Sequence, residues 1–468
     1  MGVVTEDSGK QWIDDLRSFL GDVDISRSEE ILREFGTDKW HAAAMPDVVV
    51  HAASRDDVVN TLRFATERKI PVTTRGAGVG YVGGCVPVCG GILLSVRRMD
   101  QILEINTADG VIVVEPGVIL NDLQEKVREL GWYYPPDPAS LKECSIGGNI
   151  ATNAGGPRCV KYGVTRNYVL GLEVVLPNGE ILETGGRCHK NKTGFDLIGM
   201  FVGSEGMLGV VTKATLRLIP HPEARAMLTA TFQEFPEAAS AVQAILNSRW
   251  QPSGLEITDG FTLKAARDYL GAETLPDGNA HLIVEIDGRE SSLPAELKEL
   301  RDLVESLGAL SVEEATDTAA CEAVWQLRRE FSYSLRATGL IKLNQDIVVP
   351  RSKLVDLVTF ARQLQEDTGI AVACFGHAGD GNIHTNLMVE NYETDLLAQK
   401  KADDALDVLF RWIIDNDGEI TGEHGIGLAK KRWFEDAVSA TSVDVHRTLK
   451  KAFDPENILN PGKFIEFP

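Results

Sequence analysis

An α+β fold is predicted by three features of the 468-residue sequence. From "PDVVVHAAS" to "GVVTKATLRLIP" the chain is rich in Gly, Val and Ile, in short runs parted by glycine loops, which is the pattern of many short strands. After Pro222 the pattern changes to longer helices alternating with strands, including "PEAASAVQAILNS", "LPAELKELRDLVESLG" and "CEAVWQLRREFSYSLRATG". Between two of the later strands, the glycines of "FGHAGDGNIH" predict a tight turn.

The elements follow in chain order. Residues 8–40 read as short amphipathic helices, with Trp12, Leu16 and Leu20 of "QWIDDLRSFL" at helical spacing, and residues 1–41 are expected to form a helical cover. Residues 42–221 hold one clear helix, "RDDVVNTLRFATERKI", among many strands, and form the first domain. Residues 222–428 form a second domain that contains both histidine motifs. The remainder, 429–468, closes with "FDPENILNPGKF", is too short to fold alone and is expected to pack back on the body.

Composition bounds the function. The chain is long enough for two or three domains, and its 43% hydrophobic content is ordinary for a soluble protein. A net charge of −22 argues against nucleic acid or an anionic membrane as the main partner. No run of about 18 apolar residues predicts a spanning helix. The start, "MGVVTEDSGKQW", lacks an apolar signal region, and Glu6 stands where a myristoylation motif needs Ser or Thr. A cytoplasmic location is expected, peripheral to a membrane at most through a partner. Seven scattered cysteines without a C-x-x-C spacing disfavour both a disulfide framework and an iron–sulfur cluster.

Two glycine-rich loops lie in the first domain. "RGAGVGYVGG" matches G-x-G-x-x-G through Gly78, Gly80 and Gly83, with Glu104 near the position of a ribose ligand. The context argues against a nicotinamide-dinucleotide fingerprint, which opens a helix, whereas this loop runs on through Pro87, Gly90 and Gly91 into the strand "ILLSV". Glycine at this density still lets successive amide N–H groups approach a phosphate. "CSIGGNIATNAGG" again clears space with Gly147, Gly148, Gly155 and Gly156 beside small polar residues. Two such loops in one domain predict an extended, diphosphate-bearing dinucleotide.

His377 and His384 stand seven positions apart in a chain with nine histidines. Gly379, Asp380 and Gly381 between them would break a helix, so the two rings sit on a strand–turn–strand unit. In the second strand His384, Asn386 and Met388 alternate with Ile383, Thr385, Leu387 and Val389, which gathers polar groups on one face. Such a pair is more often a set of satisfied polar residues than a metal site. "GEHGIG" supplies a third element, Glu423 and His424 between glycines. Two imidazoles and a carboxylate suit zinc or another divalent transition metal, and a spare histidine suits a base.

"PVTTRGAGVGYVGG", "PPDPASLKECSIGGNIATNAGGPRCVKYG" and "GSEGMLGVVT" together resemble the FAD-binding domain of the vanillyl-alcohol oxidase type. Within it, "FGHAGDGNIH", "GEHGIG" and "DPENILNPGK" resemble the branch of D-lactate, glycolate and D-2-hydroxyglutarate dehydrogenases, which includes the glycolate oxidase flavin subunit. The likeness runs from about residue 42 to the end. It implies a two-subdomain FAD-binding domain over 42–221, an α+β substrate and metal cap over 222–428, and a segment over 429–468 that returns to the FAD domain. The FAD pyrophosphate is implied near Arg75, Gly76, Ala77, Gly78, Val79, Gly80, Gly83 and Gly84. The rest of the cofactor is implied near Pro136, Asp137, Ser140, Gly147, Gly148, Asn149, Thr152, Asn153, Gly155 and Gly163, with Ser204, Glu205, Gly206, Val211 and Asn460 completing the set. His377, His384 and Glu423 are implied as metal ligands, for zinc first, with manganese, iron or cobalt as alternatives. His424 is implied as the catalytic base, and Arg328, Ser332, Lys342 and Asn386 as substrate-binding residues. Where the family has Thr in "GSEGTLG" this chain has Met207, which is expected to alter the loop's hydrogen bonding.

Oxidising a 2-hydroxy acid removes a proton from oxygen and a hydride from carbon. A cation at the hydroxyl lowers its pKa, so that an imidazole such as His424 can take the proton near neutral pH, while flavin N5 is expected to take the hydride. Arg328 and Ser332, four apart on a predicted helix, share a face, and an arginine fork suits the substrate carboxylate. The expected reaction is oxidation of a small D-2-hydroxy acid, with glycolate or D-lactate ahead of D-2-hydroxyglutarate. A metal-dependent hydrolase and a flavin electron-transfer subunit without its own substrate are the alternatives. Neither glycine loop contains histidine, the usual tether in flavin-linked relatives, so the FAD is expected to be non-covalent. The chain has no cysteine cluster or haem motif, so an external acceptor is expected: an iron–sulfur subunit, an electron-transfer flavoprotein or a cytochrome. Self-association into a homo-oligomer is left open.

Overall fold

The computed structural model describes residues 11–40, 42–272 and 275–466. The expected cover therefore lies partly outside the described residues, and what is described of it holds the helices Gln11–Leu20 and Glu29–Phe35. Ile13, Leu16 and Leu20 form the buried face of the first, while Trp12 is only partly covered. That stripe packs on the helix Arg55–Arg68, which begins with a capping box between Ser54 and Asp57.

Before Pro222 the chain builds two main sheets. In the first, Asp24–Ser26, Val48–His51, Ile92–Ser95 and Val72–Arg75 lie side by side in that order, the last three parallel. The helix Arg55–Arg68 carries the chain from Val48–His51 to Val72–Arg75, the two strands that flank Ile92–Ser95. The second is an antiparallel sheet in the order Ile102–Asn106, Val111–Val114, Val210–Arg217, Val169–Val175 and Ile181–Gly185. The glycine loop 76–91 joins two strands of the first sheet without a helix, as its sequence predicts.

After Pro222 the strands Ser311–Ala315, Ala224–Phe232, Ala280–Gly288, Gly254–Asp259, Ala371–His377, Asn382–Val389 and Ile341–Val348 make one antiparallel sheet, in that spatial order. Leu228, Leu282, Ile347 and Leu387 face a core built with the helices Phe235–Leu246, Leu293–Ser306, Leu354–Thr368 and Leu396–Asp415. Met227, Ile283, Ala373 and Met388 face the helices Gly260–Leu270 and Thr318–Ala337 on the other side. The histidine motif is the predicted hairpin, with His377 opposite Asn382. Gly381 is required in its turn, because its φ is +85° and a Cβ there would lie 2.1 Å from the Val349 carbonyl oxygen.

The helices Lys431–Ala437 and Ala440–Phe453 lead back to the first sheet, where Val72 N–H donates to Ile458 O at 2.7 Å and Asn460 N–H donates to Val72 O at 2.7 Å. Met207 is buried with Phe434, Val443 and Ile465, so the departure from threonine contributes apolar packing to this return. All seven cysteines are unpaired. Among the described residues, no helix is long and apolar enough to cross a membrane.

Candidate active site

Loops from both halves of the chain line one cavity of about 1710 Å³. One wall comes from Gly76, Ala77, Gly78, Val79, Gly80 and Gly84, from Gly147, Gly148, Asn149, Thr152 and Gly155, and from Ser204, Glu205 and Gly206, with Asp137, Ser140 and Val211 between them. The other carries Arg328, Ser332, Lys342, His377, His384, Glu423 and His424. The remaining sequence-predicted cofactor residues, Arg75, Gly83, Pro136, Asn153, Gly163 and Asn460, are not among those that line the cavity. Arg75 donates to Thr37 O and, at 3.3 Å, to Cys85 Sγ. Pro136 O accepts from Gln124, Asn153 closes the helix Ile146–Thr152, and Gly163 follows the turn Cys159–Tyr162. A Cβ on Gly83 would meet the Leu428 side chain at 2.9 Å. Asn460 Nδ2 donates to Gly84 O at 2.9 Å and Glu205 O at 2.8 Å.

The residues of this wall fit an extended polar ligand. Thr74 Oγ1 and Asn149 Nδ2 are buried without a hydrogen-bond partner in the protein, and both residues line the cavity. Buried polar atoms are costly when unpaired, and a dinucleotide would satisfy them.

The loop 422–427 is held by two carboxylates. Asp346 Oδ2 accepts from the backbone N–H of Gly422, Glu423 and His424 at 3.0, 2.8 and 3.0 Å. Glu205 accepts from Ile426 N–H at 2.7 Å and Gly427 N–H at 2.9 Å, so both its oxygens serve the loop. Gly427 has φ +50°, and a Cβ there would lie 2.3 Å from Val82 O. Burial alone would raise the Asp346 carboxyl, but His424, Lys430 and His384 outweigh it and hold it well below the usual carboxylate range.

His377, His384 and Glu423 place one donor atom each within 4.8 Å of one another. His377 Nδ1 lies 2.5 Å from Glu256 Oε1 and its Nε2 3.4 Å from Glu423 Oε1. Burial works against charge on His377, but Glu256 and Glu423 outweigh it and raise its pKa. A cation between Nε2 and Glu423 would take the place of the shared proton. His384 is pushed the other way, first by burial and then by His377, which favours the neutral ring that ligates metals. Its Nδ1 is buried without a hydrogen-bond partner, with Asp346 Oδ1 4.0 Å away. The donor set, with His377 oriented by Glu256, fits a divalent transition metal.

His424 lies between Tyr81 and His384, its ring centroid 5.3 Å from the first and 6.0 Å from the second. Asp346 Oδ2 is 3.8 Å from its Nδ1. Arg328 is buried, with Nε and Nη2 each 2.7 Å from Glu256 Oε2. Lys342 Nζ donates to Ser332 Oγ at 2.6 Å, and burial, then Arg336 and Arg328, lower its pKa to about 7. Asn386 is placed differently from the sequence expectation. It is fully buried, its Nδ2 donates to Ala373 O and His384 O, and its Oδ1 accepts from Asn344, which is the residue lining the cavity.

Asp346, Glu256, Tyr81 and Asn344 were missed from sequence. For Glu256 and Asp346 the available signal was a carboxylate beside apolar residues within a strand, as in "GLEITDG" and "LNQDIVV", and Tyr81 and Asn344 carry no such signal.

Two family models match the chain, the FAD binding domain over residues 46–185 and the C-terminal domain of FAD linked oxidases over residues 221–464. Glycolate oxidase subunit GlcD of Bacillus subtilis (strain 168) is 37% identical over 420 residues, which cover 90% of this chain and 89% of that protein. D-lactate dehydrogenase of Anaerostipes hadrus is 33% identical over 444 residues, covering 93% of each. The structure of 4-ethylphenol oxidase from Gulosibacter chungangensis has a TM-score of 0.76 at 20% identity over 98% of both chains, a likeness of fold. Both domain models fall on this chain in the order its sheets are built, and it belongs to the FAD-linked oxidases.

Proposed function

We propose that this enzyme oxidises a small D-2-hydroxy acid to the 2-oxo acid, with glycolate or D-lactate ahead of D-2-hydroxyglutarate. The observation that carries this reading is the convergence, in one cavity, of the His424 imidazole, the cations Arg328 and Lys342, and the His377, His384 and Glu423 donors opposite the glycine-lined wall. In this reading residues 42–221 bind FAD non-covalently, 222–428 bind substrate and metal, and 429–468 close the cradle from behind.

When bound, FAD supplies the hydride acceptor, and a divalent cation, zinc first, supplies Lewis acidity at the substrate hydroxyl. His424 accepts the hydroxyl proton, and Asp346, 3.8 Å from Nδ1, stabilises the positive ring that results. Lys342 and Arg328 neutralise the substrate carboxylate, and Ser332 orients Lys342 through its hydrogen bond. Tyr81 stacks on the base and limits its rotation. Electrons then leave to an external acceptor, for which an iron–sulfur subunit, an electron-transfer flavoprotein or a cytochrome are the candidates.

The test is flavin reduction in a single anaerobic turnover of FAD-loaded protein, with glycolate, D-lactate, L-lactate and D-2-hydroxyglutarate offered separately. Rapid bleaching by a D-acid or glycolate is expected. A yellow, folded protein that none of them bleaches would sink the reading.

A further inference from the structure

One cluster of buried charge lies outside the metal and base machinery. Arg158 comes from the segment after the second glycine loop and reaches across to the seven-stranded sheet. Its Nε and Nη2 bind Glu285 Oε1 and Oε2 at 2.7 and 2.8 Å, and its Nη1 donates to Asp137 Oδ2. Glu285 also accepts from Trp325 Nε1 at 2.7 Å and from Ser253 Oγ at 3.0 Å. The Arg158 guanidinium lies 5.1 Å from the centre of a Trp325 ring. Asp137, Glu285 and Trp325 are all buried, and all line the central cavity with Arg158.

The path has a direction. Asp137 belongs to the cofactor wall, Glu285 to the sheet, and Trp325 to the helix Thr318–Ala337, one turn before Arg328. Arg328 therefore sits on a helix whose indole is fixed, through one carboxylate and one guanidinium, to the cofactor wall. A bidentate arginine fork sets angle as well as distance, and lysine cannot reproduce it.

We propose that Arg158 is a positioning residue that sets the substrate-binding helix against the cofactor wall, through Glu285 and Trp325, so that Arg328 meets the substrate carboxylate in register. This rests on the assignment of Arg328 to that carboxylate under the proposed function.

Removing Arg158 outright would strand two buried carboxylates and endanger folding, so two gentler variants carry the test. Trp325→Phe keeps the ring and removes the indole donor, and Arg158→Lys keeps the charge and removes the fork. Both are measured as FAD-loaded full-length protein for FAD content, thermal midpoint, KM and kcat. A rise in KM of about tenfold, the scale of one lost hydrogen bond to a charged group, is expected in each, with FAD content retained and kcat within about twofold. A lowered thermal midpoint with unchanged KM in both would assign the cluster to stability alone and overturn the inference. A wild-type holoenzyme that no 2-hydroxy acid reduces would overturn the proposed function and this inference together, whereas an active wild type with unaffected variants would overturn this inference only.

Discussion

The two walls of the cavity are built on opposite plans. The wall around His377, His384 and His424 is made of side chains, each fixed by another buried side chain: Glu256 holds His377 and Arg328, and Asp346 holds the loop that carries Glu423 and His424. The wall around Gly76 to Gly84 and Gly147 to Gly155 is made largely of backbone and of the space that missing side chains leave. Single side-chain changes should therefore disable the first wall without loosening FAD. On the second wall, loss of one polar group should weaken FAD without touching the chemistry.

The largest effect tests the first half of that contrast. His424→Ala should lower the rate of flavin reduction by about a hundred- to ten-thousand-fold, the usual contribution of a general base, with FAD and metal content near wild type. Near-normal reduction would remove His424 as the base. Asp346→Asn comes next, because three N–H groups lose a charged acceptor and Lys430 loses a counter-charge in the interior. A loss of about 3–5 kcal/mol in urea unfolding is expected, together with a slower reductive step. A variant of wild-type stability would show that the loop does not depend on this carboxylate.

The same contrast decides what the sequence could reveal. His377, His384 and Glu423 were legible because each stands in a motif punctuated by glycine, and the fold brings them within 4.8 Å. Their supports were not, because Glu256 meets His377, and Asp346 meets His384, only through cross-strand register. Register between strands 121 and 38 residues apart in sequence is a property of the whole sheet, and local pattern does not encode it. Asn386 shows the converse. Strand alternation groups it with His384, yet register sets it opposite Asn344, and that pair closes its amide. On the cofactor wall, glycine density identified the loops but could not separate Gly80, which lines the cavity, from Gly83, which packs against Leu428. Glu205 lines the cavity on the cofactor wall, as its motif predicts, and its carboxylate also holds the loop of the other wall, which its motif does not reveal.

A smaller effect sharpens the electrostatics of the side-chain wall. Lys342 has its pKa lowered to about 7, chiefly by burial and then by Arg336 and Arg328. Below about pH 7 it is charged and can hold a carboxylate, and above that it is neutral, so kcat/KM should fall by about tenfold as pH rises through this range. Stability should move the other way. Between about pH 7 and the ordinary lysine pKa of 10.5 the unfolded chain binds the proton that the folded one has lost, so this residue's cost to folding shrinks as pH rises. Lys342→Met should flatten both trends, and a variant that keeps the falling kcat/KM limb would assign it to another group.

The smallest effect tests the second wall. Thr74 Oγ1 is buried at the cavity without a hydrogen-bond partner in the protein, so apo protein gains nothing from the hydroxyl and bears its desolvation. Thr74→Val keeps the shape and removes the polar atom. If FAD satisfies that hydroxyl, the variant should bind FAD about threefold to tenfold more weakly, the scale of one neutral hydrogen bond, while the apo protein is unchanged or slightly more stable. The rate of flavin reduction in the fully loaded variant should match wild type, because nothing on the base side of the cavity has changed. Titration of apo protein with FAD, followed by flavin fluorescence, measures the first quantity, and a single turnover measures the last. Unaltered FAD affinity would show that the hydroxyl faces no part of the cofactor, and a slowed chemical step would show that the two walls are less independent than their construction suggests.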